Sequence, residues 1–392
     1  MMLALALGAS AAQARPRTVT LVAVGDVMLA RGVAEQVQRH GWKYPFAHVA
    51  GPLRAADLVF GNLECGIGER GRPVPKRISL SAPEQGARAL RRAGFTVFSV
   101  ANNHTFDRGR LGLVHTLHVL DREHLAYAGA GETPAAAHRP TIIRRHGLRI
   151  AFLAYTAWTP ESYLSVSGEP ALALADPDDL TRDTQAAKKV ADLVVVSFHW
   201  GVEQARAPSA QQRLLARTAI DAGADLVLGH HPHVRQPVEW YKGRPIFFSL
   251  GNFVFDQRGT QASSGWLAVL RLSKKGVRIE RLGQIEITAC QPRVTVWQRR
   301  SWLQAGPSTS LHRDHPSTPA IQMTAASSTR PTVAGLGGGS AGRKTSGPPV
   351  EEGSMAATGG RGAWRKVMAI PNAPTRYPDT PISRGTSPRR RS

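Results

Sequence analysis

Between Thr18 and Ser273 the chain places seven apolar runs of three to six residues, most of them far enough apart for a helix to lie between. They are Val19–Val24, Leu58–Phe60, Val97–Val100, Ile150–Tyr155, Leu193–Phe198, Leu226–Leu228 and Ile246–Leu250. Each is rich in Val, Ile, Leu and Phe and lacks strict alternation, the pattern of strands covered on both faces. Helical stretches fill the gaps, and two have readable starts. Ser81-Ala82-Pro83-Glu84 reads as a capping box opening a helix that runs to about Arg92, and Ser209-Ala210-Gln211-Gln212 opens another that stops at Gly223. From Leu267 to Ile287 two apolar runs flank Lys274-Lys275-Gly276, a hairpin signal. The pattern predicts an α/β body finished by antiparallel strands.

Composition sets the limits of that body. From Gln304 onward Ser, Thr, Pro, Gly and Arg dominate, and no window after Pro307 offers enough apolar surface to offset its ordering entropy. We expect one folded domain over 15–302 and a disordered basic tail over 303–392. Residues 1–14 end an apolar run in Ala12-Gln13-Ala14, the cleavage pattern of a secretory signal without its basic leader. No later run approaches the ~20 apolar residues of a membrane span. The expected location is therefore outside the cytoplasm, periplasmic or associated with the cell envelope. Two cysteines, Cys65 and Cys290, exclude zinc ribbons and thioredoxin-like chemistry, while a disulfide between them stays open.

The formal charge is +22. The tail holds twelve Lys and Arg against four Asp and Glu, so the folded part is itself strongly basic. Such a field favours polyanions: nucleic acid, anionic lipid or an acidic surface polymer. No interleaved aromatics or known module supports nucleic-acid binding.

Polar clusters follow the apolar runs, where an open α/β sheet binds its ligands. Gly25-Asp26 follows the first, Gly61-Asn62-Leu63-Glu64 the second and Asn102-Asn103-His104 the third. His199 follows the fifth and His230-His231-Pro232-His233 the sixth. Taken singly, Asp26 is a turn former, Asn62 ordinary turn chemistry, and Glu64 or His199 a solvated or buried polar side chain. The His-Pro-His segment is more specific: in an extended backbone His231 and His233 project to one side and reach one ion. Two carboxylates, an amide and three imidazoles together suit one or two divalent transition-metal ions.

At these residues the sequence resembles the CapA family of poly-γ-glutamate capsule biosynthesis proteins, a branch of the metallophosphatase-like superfamily. The stretches are VAVGDVMLARGV, FGNLECGIG, SVANNHTFDRG, VVVSFHWGVE, DLVLGHHPHV and RPIFFSLGNFVFDQ, spanning roughly Leu21 to Asp256. The resemblance implies a four-layer sandwich of two mixed sheets flanked by helices. It implies Asp26, Glu64, Asn103, His199, His231 and His233 as ligands of zinc, manganese or iron. His104 becomes the group that protonates a leaving oxygen or stabilises the transferring phosphoryl, with Asp107 orienting it. Asn252 and Asp256 become supporting residues. Two departures matter: the usual first-motif Asp-x-His reads Asp26-Val27-Met28, and Asn62 and Glu64 stand where a bridging Asp is usual. One ion, two ions, or an anion bound without hydrolysis all remain compatible with that set.

Two functions follow. One is a metal-dependent, phosphoesterase-like hydrolase serving an anionic capsule polymer. The other is a non-catalytic component that binds the polymer or its synthase complex.

Overall fold

The computed structural model describes residues 17–298 apart from 161, 162, 164, 165, 258 and 260. All of these lie in the unit Met1–Leu311. The expected leader over 1–14 and the expected tail over 303–392 fall outside the described residues.

Two large sheets carry the apolar runs. In the first, the order is Gln291–Trp297, Gly276–Thr288, Ser264–Ser273, Val19–Val27, Leu58–Leu63, Val97–Ser99 and Ala126–Ala128, with Asn252–Val254 also paired to Val19–Val27. In the second it is Val238–Tyr241, Arg244–Phe247, Leu226–His230, Leu193–His199, Leu148–Thr156 and Thr141–Arg145. The central strands of both are parallel; antiparallel strands finish both edges of the second sheet and one edge of the first, whose other edge strand, Ala126–Ala128, runs parallel to Val97–Ser99. The hairpin expected over Leu267–Ile287 is the pairing of Ser264–Ser273 with Gly276–Thr288.

The uniform apolarity of the runs is explained by two-sided burial. Leu21, Ala23 and Phe60 of the first sheet pack against Ile150, Phe152, Val195 and Leu228 of the second, forming a core between the sheets. Phe60 and Phe152 stack there with centroids 5.9 Å apart. The alternate residues Val22 and Val24 face the other way, onto Val33, Leu90 and Leu117 of the helices Arg31–His40, Gln85–Ala93 and Gly109–Arg122. On the far side of the second sheet, Leu153, Val194 and Val196 meet Leu180, Leu215 and Ala219 of Pro177–Val190 and Ala210–Asp221. Three apolar cores between four layers make an α/β/β/α sandwich, the architecture that the resemblance implies.

The helix starts divide. Ser209 forms a complete capping box with Gln212, and the helix ends before Gly223, whose φ is +116°. The capping box expected at Ser81 is absent. Ser81 and Ala82 pair instead with Gly66 and Ile67, and the Ser81 hydroxyl donates to the Gly68 carbonyl at 2.5 Å. A hydroxyl engaged by that neighbouring segment is lost to the helix, which begins at Gln85 without a side-chain cap. Cys65 and Cys290 are both buried thiols, so the disulfide left open by the sequence is not formed.

Candidate metal centre at the strand ends

The first strand is irregular where it reaches the site. Its register with Leu58–Leu63 shifts between Ala23 and Asp26, and the Asp26 N–H donates to the Gly251 carbonyl at 2.9 Å. A Cβ on Gly25 would lie 1.9 Å from that carbonyl, so only glycine lets the two backbones close and turns Asp26 inward. Asp26 is fully buried. Its Oδ1 accepts from Asn62 Nδ2 at 2.9 Å and lies 3.1 Å from His230 Nδ1, while Oδ2 lies 3.3 Å from His233 Nδ1. Burial works against the charged carboxylate. The His230 and His233 imidazoles outweigh it and hold Asp26 well below the usual carboxylate range.

His199 and His230 are the last residues of adjacent strands and stand opposite each other in register. The chain then turns through two left-handed residues, His231 at φ +95° and His233 at φ +57°. The two rings therefore reach the site, but not by the extended-backbone alternation expected from the sequence. A tight turn around Pro232 places them.

Three groups of potential ligand atoms lie within 4.8 Å of one another: Asp26, Glu64 and His233; Glu64, His199 and His231; Glu203, His231 and His233. Glu64 belongs to the first two, as a bridging carboxylate would. His199 Nε2 lies 3.0 Å from the Asn103 side-chain oxygen, bringing that amide to the second group. Burial pushes the His231 imidazole down to about 3 and His199 well below its ordinary value, so both rings are neutral and offer lone pairs. Burial also pushes Glu64 well above its usual range, and the neighbouring Asp26 charge adds to the rise. At His233 the carboxylates of Glu64 and Asp26 outweigh burial and push the ring up to about 10.

The donor set fits a divalent cation. Among the described residues, Glu64 Oε1 and both ring nitrogens of His231 are buried without a hydrogen-bond partner. An unsatisfied buried polar atom costs about 1–3 kcal/mol, which coordination would remove. His231 is held by its ring faces instead, against Trp158 at 4.8 Å and His199 at 4.7 Å between centroids. His233 has Nδ1 2.9 Å from the Asn252 side-chain oxygen, leaving Nε2 toward Glu64 Oε1 at 3.4 Å. That is the outer-shell support usual for a ligating imidazole. Asp256, by contrast, pairs with Arg31 at 2.5 Å and accepts from the Gly32 N–H.

His104 stands beside this set. Its Nδ1 lies 2.7 Å from Asp107 Oδ2, so Nε2 is the nitrogen left for a substrate. Burial pushes its pKa down, against the pull of Asp107. Asp107 also accepts from the Leu80 N–H at 2.6 Å and from Lys76 Nζ at 2.5 Å.

All eight residues expected from the sequence therefore converge on one region. Asn62 and His230 stood in the strand-end clusters without a role, and here they hold Asp26. Two others were missed. Lys76 lies in a stretch without element signals, and Glu203 sits within VVVSFHWGVE with nothing local to mark it.

A four-layer α/β/β/α sandwich with buried carboxylates and imidazoles at the ends of its parallel strands defines an α/β protein with a candidate divalent-metal centre. Within that class, the family described as bacterial capsule synthesis protein PGA_cap matches residues 20–257, and the chain belongs to it. It is 38% identical over 268 residues to the capsule biosynthesis protein CapA of Bacillus anthracis, covering 66% of this chain and 65% of that one. It is 37% identical to the PGA biosynthesis protein CapA of Bacillus subtilis (strain 168), covering 68% and 69%. The chain thus spans about two thirds of the length of these relatives. Among solved structures it is similar to a 5′-nucleotidase precursor from Thermus thermophilus, at 12% identity and a TM-score of 0.41, covering 71% and 54%.

Proposed function

We propose that the chain acts in the biosynthesis of an anionic capsule polymer, poly-γ-glutamate or a similar chain, as a metal-dependent phosphoesterase-like hydrolase. The observation that carries the hydrolase reading is the bare, buried His231 ring beside the unsatisfied Glu64 Oε1. The polymer class follows from family membership and from relatives named for capsule and PGA biosynthesis.

Asp26, Glu64, Asn103, His199, His231 and His233 would hold zinc, manganese or iron. A bound divalent ion supplies Lewis acidity toward an anionic oxygen and activates water as a nucleophile. The protein's own part is positional. Asp107 fixes the His104 ring through Nδ1, and the other nitrogen donates a proton or hydrogen bond to the departing oxygen. Lys76 and the Leu80 N–H hold Asp107 in turn.

We propose that it works outside the cytoplasm. A mature chain found to begin at Arg15 would support this, and intact Met1 on cytoplasmic protein would contradict it. Its partners there would be the anionic polymer or its synthase complex, with no specific nucleic acid.

A second reading is a polymer-binding or synthase-scaffolding component. The net charge of +22 and the Met28 in place of a ligating histidine favour it. His231→Asn separates the two, because asparagine tolerates a left-handed backbone and the lost ring holds nothing by hydrogen bonds. The hydrolase reading expects model phosphodiester hydrolysis to fall to background with Tm unchanged. A scaffold expects no hydrolysis by either protein, with any loss of polymer output tracking a loss of Tm.

A further inference from the structure

The loop after His199 brings a third carboxylate to the site. Ligand atoms of Glu203, His231 and His233 lie within 4.8 Å of one another; His233 is shared with the Asp26–Glu64 group and His231 with the Glu64–His199 group. The loop is built rather than draped. Trp200 stacks on Phe198 with centroids 4.4 Å apart and donates its indole N–H to the Phe248 carbonyl at 2.8 Å. The Gly201 carbonyl accepts from Trp158 Nε1 at 2.9 Å. Gly201 has φ +83°, and a Cβ there would meet Gln212 Oε1 at 2.7 Å. On the other side of Glu203, the Gln204 N–H donates to the Pro232 carbonyl at 2.8 Å, in the middle of the His-Pro-His turn. Residues 201 and 204 are thus both tied to the site, and Glu203 is carried between them.

The Asp26–Glu64–His233 group offers three protein donors. An ion of six coordination positions, such as manganese, has room beside them for a further carboxylate as well as water. Met28 does not supply the fourth: it is fully buried and its sulfur accepts from the Ala30 N–H at 3.0 Å. Glu203 is only partly buried, so its carboxylate carries a smaller desolvation cost than Asp26 or Glu64.

We infer that Glu203 is a fourth protein ligand to the ion held by Asp26, Glu64 and His233, closing the centre from its loop side. The inference rests on the reading of this region as a metal centre. Three carboxylates and one imidazole then face that ion, a donor set that suits manganese or iron more than a thiolate-seeking metal. The other ion keeps Glu64, Asn103, His199 and His231.

Manganese binding to the full chain tests this directly. The metal-free protein, Glu203→Gln, Glu203→Ala and Glu203→Asp are titrated with manganese and followed by calorimetry and by bound metal after gel filtration. The wild type should bind two equivalents. Glu203→Gln and Glu203→Ala should keep one and bind the other on the order of 100-fold more weakly, at the upper end of what lost outer-shell support alone costs. Glu203→Asp should recover part of that loss, and metal-free Tm should be the same in all four. Two equivalents bound by Glu203→Gln or Glu203→Ala within about threefold of wild type would overturn the inference while leaving the metal centre standing. A wild type that binds no manganese, and no zinc or iron when these are titrated in its place, would overturn both.

Discussion

His104 and His231 are both buried imidazoles, and their surroundings give them different work. His231 has two bare nitrogens and is held by ring faces, whereas His104 has one nitrogen engaged by Asp107 at 2.7 Å. The first suits a ligand and the second a proton donor. His104→Ala should therefore keep its metal and its Tm while losing about 10²–10⁴ in turnover. Asp107→Asn should lose less, because it only loosens the ring. Metal content, Tm and turnover on one preparation check this; an active, metal-replete His104→Ala protein would contradict it. Asp26, Glu64, Asn103, His104, His199, His231 and His233 stood out in the sequence because each closely follows an apolar run, where a parallel sheet delivers side chains to a shared edge, whereas Asp107 was implied by the family resemblance alone. Lys76 was not legible, since its contact with Asp107 spans thirty-one residues and leaves no local spacing to read. His230 was passed over because it is the last strand residue, turned toward Asp26 and the Phe60 ring rather than into the turn.

At the scale of elements, the helices were readable where their caps are local and unreadable where another segment competes. Ser209 and Gln212 cap each other, but Ser81 is claimed by Gly68 across a strand pair. The helix Pro177–Val190 shows a third case, a polar anchor invisible in sequence. Its Asp183 lies 2.7 Å from His138 Nδ1, accepts from Tyr155 at 3.1 Å and pairs with Arg182 at 2.7 Å. Burial pushes this carboxyl up, but His138 and Arg182 outweigh it and hold it below its ordinary 3.8. An acid lowered in the folded state stabilises fully above its unfolded pKa and loses that contribution as pH falls through the folded value. Asp183→Asn should therefore cost about 1–3 kcal/mol near neutral pH, typical of hydrogen bonds to a buried charge. Denaturant melts at several pH values check it. The gap between the two proteins should narrow below about pH 4, near the unfolded carboxyl value; a constant gap would show that the anchor is steric.

At the scale of the whole molecule, the seven apolar runs specify strands with two buried faces, which leads to a covered sheet but not to the number of sheets. That the runs divide between two sheets sharing a core depends on contacts such as Phe60 with Phe152, remote in sequence and without any local signature. Stacking the sheets brings the His199 and His230 strand ends of one against Asp26 and Glu64 of the other, and the centre exists only through that meeting. Its central claim is that these residues bind a divalent transition metal. Elemental analysis of the full chain, reconstituted at about pH 7.5 where free imidazole is neutral, tests it most directly. The wild type should retain zinc, manganese or iron in stoichiometric amount, and His231→Asn combined with His233→Asn should retain none with its fold intact. A wild-type protein that holds no metal after reconstitution would contradict the account.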